Sequence, residues 1–142
     1  MISLNPKTSV IIDSNVFIAL WHSKDTHAQD ARSILTKVAE GEIQHVYLTN
    51  YALMEVINFL LRKVSFEAAS SALTYLTQTE RIKIIYVDSL SEVEHTKLFT
   101  QYKILSLTDC SLVNLASELG IKIIYSFDTG FDSIKAIERK ER

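Results

Sequence analysis

Glycine and proline are scarce: the chain has three Gly and one Pro in 142 residues. Few turns can rely on their special backbone angles, so long regular elements must carry most of the chain. Cysteine occurs once, which excludes an internal disulfide and suits a reducing compartment. No apolar run approaches the roughly 18 residues that would mark a membrane-spanning helix. The opening Met1-Ile2-Ser3-Leu4-Asn5-Pro6-Lys7 lacks the apolar segment of a signal peptide before its proline. The expectation is a cytoplasmic protein with no membrane contact. Excess positive charge is also missing. Lys and Arg number 15 against 17 Asp and Glu, a formal net charge of −2, so no overall basic field advertises nucleic acid. Repeats, linkers and low-complexity stretches are absent.

What is present is an ample core. Hydrophobic residues make up 47% and charged residues 23%, which fits one compact domain over residues 1–142. Residues 9–12 read as a short buried strand, apolar without alternation, as in a parallel sheet covered on both faces. A helix from about Ser14 to Trp21 follows. Thr26 to Glu40 reads as a second helix, with Ala28, Ala31, Ile34, Leu35 and Val38 on one face and Gly41 as its stop. Val46-Tyr47-Leu48 is a strand, and Thr49 and Asn50 cap a helix bearing Leu53, Ile57, Leu60 and Leu61. Ser65 caps another to about Gln78. Arg81–Val87 reads as a strand, and Ser89 with Glu92 matches a capping box opening a helix to about Tyr102. Thr108 caps a helix stopped by Gly120, Ile121–Phe127 is a strand, and a last helix spans Ser133–Glu138 before a charged tail that frays. Alternating strands and helices predict a parallel sheet of about four to five strands between two helical layers.

Four acids stand out in this frame: Asp13, Glu55, Asp109 and Asp128. Asp13 follows Val10-Ile11-Ile12, and Asp128 follows Ile123-Ile124-Tyr125-Ser126-Phe127. In open parallel sheets, ligands bind beyond the carboxyl ends of the strands, where both of these fall. Asp109 lies in a first helical turn and Glu55 one turn into its helix. Burying a carboxylate without compensation costs several kcal/mol, so four near core elements imply a shared cation. Hard Mg²⁺ or Mn²⁺ suits an all-oxygen set.

These contexts resemble the PIN domain family, and within it the short VapC-type toxins, over about Val10 to Ile134. Val10-Ile11-Ile12-Asp13-Ser14-Asn15-Val16-Phe17-Ile18 is similar to the first family motif. Thr49-Asn50-Tyr51-Ala52-Leu53-Met54-Glu55 is similar to the second, Leu107-Thr108-Asp109-Cys110-Ser111-Leu112 to the third, and Ser126-Phe127-Asp128-Thr129-Gly130-Phe131 to the fourth. The fourth often carries Thr where this chain has Ser126, a swap that keeps the hydroxyl. The resemblance implies a PIN-like α/β/α fold, a divalent metal held by Asp13, Asp109, Asp128 and Glu55 (Glu55 through water in one version), and RNA cleavage. It also implies a homodimer and, for a toxin, a small antitoxin. Asp132 competes with Asp128 for the metal, and strand-end position favours Asp128.

Around the acids, Ser14, Asn15, Thr108 and Ser126 are candidates to orient carboxylates, with helix capping as the competing role for Ser14, Asn15 and Thr108. Lys135 on the predicted last helix and Arg139 in the charged tail after it, both beyond the fourth motif, are candidates to meet RNA phosphate. Cys110 lacks a basic partner and reads as a small buried residue. His22, His27, His45 and His95 show no zinc spacing. Trp21, Phe17 and Tyr51 read first as packing aromatics and second as stacking platforms for RNA bases. Other functions fit less well. A PIN nuclease of RNA processing keeps the chemistry and changes the role. A non-catalytic RNA-binding domain would set four acids against phosphate. A haloacid-dehalogenase-like phosphatase needs a second Asp where Asn15 stands.

Overall fold

A computed structural model describes residues 8–142. The segment Met1–Lys7, read above for a signal peptide, lies outside them. Five parallel strands form one sheet in the order β3-β2-β1-β4-β5, flanked by six helices. In chain order these are β1 (Ser9–Ile12), α1 (Ser14–Trp21), α2 (Ala28–Ala39), β2 (His45–Thr49), α3 (Asn50–Lys63) and α4 (Phe66–Gln78). There follow β3 (Ile82–Ile85), α5 (Ser89–Tyr102), α6 (Leu107–Leu119), β4 (Ile123–Tyr125) and β5 (Glu138–Lys140). The expected three-layer architecture is present.

β1 is central and wholly buried, as its unbroken apolar run requires. It pairs with β2 through Val10 opposite Val46 and with β4 through Ile11 opposite Ile124. Ile11, Ile12, Leu48 and Ile124 join Phe17, Ile34, Leu60, Leu112 and Phe131 in one continuous core. Burying each such side chain contributes about 1.5–3 kcal/mol. Gly120 ends α6 at φ 68°, a left-handed turn that glycine takes at no steric cost.

Three local expectations are corrected. Ser89 is the first residue of α5, and Asp88 is its cap, accepting from Ser91 N at 2.9 Å. Thr108 is likewise inside α6. The cap is Ser106, which closes a reciprocal capping box with Asp109. The predicted helix at Ser133–Glu138 does not form. A 3-10 turn spans Thr129–Ser133, and the tail then pairs with β4 as β5, through Ile124 opposite Arg139. Glu138, Arg139 and Lys140 are an edge strand, where charge discourages further pairing, and that composition imitates a helical surface in sequence. Among the described residues, no helix is long and apolar enough to cross a membrane.

Candidate functional site

The sheet order reverses between β1 and β4, and in open parallel sheets ligands bind beyond the carboxyl ends of strands at such a point. Asp13 ends β1 and begins α1. Its backbone N–H continues the ladder to Tyr125 O at 3.0 Å, and its Oδ1 caps α1 by accepting from Ser14 N at 2.7 Å. The side chain is 2% exposed. Glu55 projects from α3, whose start is fixed by Thr49 accepting from Ala52 N. Asp109 sits in the first turn of α6, its Oδ2 accepting from Ser106 N at 3.0 Å. Asp128 caps the 3-10 turn through Gly130 N at 2.8 Å. Asp13 is buried, Asp109 half-buried, and Glu55 and Asp128 exposed. The four acids therefore differ in exposure, and the sequence-based picture of four buried carboxylates holds for Asp13 alone.

Two hydroxyls connect the elements. Ser14 Oγ lies 3.2 Å from Asp13 Oδ1 and 2.5 Å from Glu55 Oε1. A hydroxyl has one proton to donate, so these two carboxylates share one donor. Ser126 Oγ donates to Asp13 Oδ2 at 2.7 Å and accepts from Asp128 N at 3.0 Å and Asn15 Nδ2 at 3.2 Å. Asn15 completes the link by accepting from Phe127 N at 3.3 Å. Ser14 and Asn15 thus join neighbouring elements, and the cap of α1 is Asp13 itself. Thr108 contributes its backbone carbonyl, which accepts from Ser111 Oγ at 2.6 Å.

Asp13 and Asp109 feel the charges of the neighbouring acids. Burial foremost, then the Asp109 charge and a smaller push from Glu55, against the opposing Ser126 and Ser14 hydrogen bonds, bring the Asp13 carboxyl up to about 7. Burial also raises the Asp109 carboxyl. The bonds from Ser106 oppose it, and the charges of Asp128 and Glu55 reinforce it. The ion pairs among the described residues are Lys97–Glu94, Arg139–Asp132 and Arg139–Glu141, none of which involves the four acids. A cluster of carboxylates without a protein cation has two ways to relieve its repulsion: take up protons or take up a cation.

The donor chemistry of the cluster, carboxylate and hydroxyl oxygen throughout, fits a hard divalent cation. The side chains stand open. Among the described residues, no three His, Cys, Asp or Glu side chains are already gathered about one point in a metal-holding group.

Asp132 and Arg139 lie together on the flank. Arg139 Nε donates to Asp132 Oδ1 at 2.8 Å and a terminal nitrogen to Oδ2 at 3.2 Å. The other terminal nitrogen donates to Ser126 O at 3.1 Å and to Glu141 at 2.6 Å. Arg139 is therefore committed to protein acceptors, and Lys135 sits exposed in the turn before β5. Ser106 and this arginine brace escaped the sequence reading. A Ser-x-x-Asp spacing before an apolar run does signal the capping box, whereas nothing local to β5 signals the brace.

Comparison with known proteins follows the same lines. The PIN domain family model matches residues 10–137. A VapC ribonuclease of Archaeoglobus fulgidus is 28% identical over 144 residues, covering 94% of this chain and 90% of that protein. The fold is shared with the Mycobacterium tuberculosis toxin VapC20, a sarcin-ricin loop cleaving protein, at TM-score 0.78 and 18% identity over 89% of this chain and 95% of that one. A toxin–antitoxin complex from Klebsiella pneumoniae matches at TM-score 0.67 and 19% identity, over 94% and 98% of the two chains. With a family match from the first buried strand to the residue before the last one, the chain belongs to the PIN domain family.

Proposed function

We propose that this protein is a Mg²⁺- or Mn²⁺-dependent endoribonuclease and the toxin of a toxin–antitoxin pair, acting in the cytoplasm. The observation that carries the proposal is Asp13: a carboxyl group 2% exposed, its pKa raised towards neutrality by burial and by Asp109, with no cationic partner among the described residues. Family membership and the kinship to a protein named VapC ribonuclease support the reaction class. The fold shared with toxin–antitoxin structures supports the role.

In this reading Asp13, Asp109 and Asp128 hold the ion, with Glu55 joining directly or through water. When bound, the ion neutralises charge on a phosphodiester and lowers the pKa of water for attack. The chain's own residues supply placement. Ser126 fixes Asp13 Oδ2 and the Asp128 backbone in one arrangement. Ser14 holds Asp13 and Glu55 at a set separation, and the capping box fixes one oxygen of Asp109 while leaving the other free. Metal-site supports of this kind typically govern affinity or activity by about 10- to 100-fold.

Protein partners enter through apolar surface. On α3, Leu53 and Leu60 are buried in the core, whereas Leu61 is 51% exposed. Met54, Phe66 and Leu73 on α3 and α4, Tyr86 just after β3, and Leu90, Val93 and Phe99 on α5 are exposed as well. Surfaces of this kind suit a symmetric second copy and the apolar segment of an antitoxin. A basic side chain on that segment would enter the acidic mouth and compete with the cation.

The test is cleavage of single-stranded and stem-loop RNA with Mn²⁺, with Mg²⁺ and with excess EDTA, alongside growth of cells expressing the chain alone or with a neighbouring small gene. Metal-dependent cleavage and growth arrest relieved by the partner are expected. Cleavage without growth arrest or a partner would move the role towards RNA processing.

A further inference from the structure

We infer that Arg139 is a positioning residue for Asp128, an inference that rests on the metal-dependent ribonuclease reading. Its place in the sequence and its charge suggest a phosphate contact, but its hydrogen bonds point elsewhere. The guanidinium lies on β5, with its side chain 12% exposed, and spans two structural elements. One edge grips Asp132, inside the 3-10 turn, through both carboxylate oxygens at 2.8 and 3.2 Å. The opposite nitrogen reaches the Ser126 carbonyl at 3.1 Å. Asp128 lies between these two anchor points in the chain.

The anchors matter because Ser126 and the turn carry everything that orients Asp128. Ser126 Oγ receives the Asp128 N–H at 3.0 Å, and Gly130 N donates to Asp128 Oδ1 at 2.8 Å. Bracing Ser126 on one side and Asp132 on the other fixes both ends of the loop on which this exposed carboxylate stands. A forked, bidentate cation is needed for this, since a lysine ammonium offers no planar pair of donors. Glu141, 2.6 Å from the same nitrogen as Ser126 O, holds the guanidinium from the far side. Asp132 is thus a partner of the brace and is turned towards Arg139.

The experiment compares the full-length chain with Arg139→Lys, Arg139→Gln and Asp132→Asn. Three quantities are read: kcat and KM on one RNA, Mn²⁺ affinity by calorimetry, and hydrogen exchange at the Gly130 amide. Positioning predicts that all three variants lose kcat, with Arg139→Lys failing to rescue. Mn²⁺ affinity should fall by about 10-fold or more and Gly130 exchange should quicken, while KM changes by less than about 3-fold. Should Arg139→Gln fail to fold, Asp132→Asn alters only an exposed end of the brace and gives the same readings. Normal kcat in Arg139→Lys with raised KM in Arg139→Gln would overturn the inference in favour of phosphate binding, as would Mn²⁺ affinity and Gly130 exchange unchanged in every variant. If the native chain neither binds Mn²⁺ nor cleaves RNA, the ribonuclease reading fails and takes this inference with it. A native chain that does both while the variants match it defeats the inference alone.

Discussion

Ser126 Oγ donates to Asp13 Oδ2 at 2.7 Å across 113 positions of sequence, joining the end of β4 to the end of β1. One hydroxyl thereby spans the point where the strand order reverses, and it also receives Asp128 N and Asn15 Nδ2.

Ser126→Ala removes a donor to a buried carboxylate and an acceptor for two N–H groups. The expected cost is about 1–3 kcal/mol of stability, with a loss of activity of about 10-fold or more. Ser126→Thr keeps the hydroxyl and should retain most of both. Chemical denaturation and single-turnover RNA cleavage measure the two effects.

Metal-free stability should depend on pH through Asp13. Its folded carboxyl sits at about 7 and its ordinary value is 3.8, so the folded chain binds the proton more tightly than the unfolded one. The resulting stability is complete below about pH 4 and is lost as pH rises towards 7, on the order of 4 kcal/mol across that window. Asp13→Asn removes the titrating charge. In EDTA at pH 8 it should melt above the native chain, and Mn²⁺ should raise the melting temperature of the native chain far more than that of the variant.

His95 should act in the opposite direction. It is 3% exposed, stacks edge-on against Tyr51, and leaves Nδ1 without a partner among the described residues. Burial holds its imidazole below the ordinary 6.5, while the charges of Glu118, Glu92 and Asp88 pull the other way. The unfolded chain therefore takes up this proton first, and stability falls as pH drops below about 6.5. His95→Leu should remove that acid-side loss in the background of Asp13→Asn, where the carboxyl no longer titrates. Melting curves between pH 4 and 8 separate the two groups.

Much of this arrangement is legible in the sequence because it depends on local signals. Val10-Ile11-Ile12 before Asp13 gives a buried strand and its terminus, and both follow from apolar continuity alone. Thr49 and Ser65 were readable as caps because a side-chain oxygen three residues before a helical amide leaves a fixed spacing. The gradient of burial from Asp13 to Asp128 was not readable, since exposure depends on how α3 and the 3-10 turn stand against the sheet. Nor was β5: Glu138-Arg139-Lys140 becomes a strand by pairing with Ile123-Ile124-Tyr125, a tertiary cause. For the same reason Arg139 reads from sequence as a phosphate contact in a charged tail, whereas it stands on an edge strand facing Ser126 O and Asp132.

The exposed apolar residues of α5 predict self-association. Leu90 is 80% exposed and Val93 55%, on the same helix as Phe99 at 48%. The native chain should have a dimer mass in light scattering at micromolar concentration. Leu90→Glu with Val93→Lys should shift it to a monomer, because charges in an apolar interface are costly to desolvate. A native monomer at that concentration would count against the interface.

Cleavage of a labelled RNA by the native chain and by Asp13→Asn, each in Mn²⁺ and in excess EDTA, tests the central claim most directly. The account predicts cleavage by the native chain in Mn²⁺ alone, with EDTA abolishing it. Asp13→Asn, still folded, should lose at least about 100-fold in rate, in keeping with removal of a charge that acts at the reacting centre. Equal cleavage in EDTA, or an Asp13→Asn variant as active as the native chain, would contradict it.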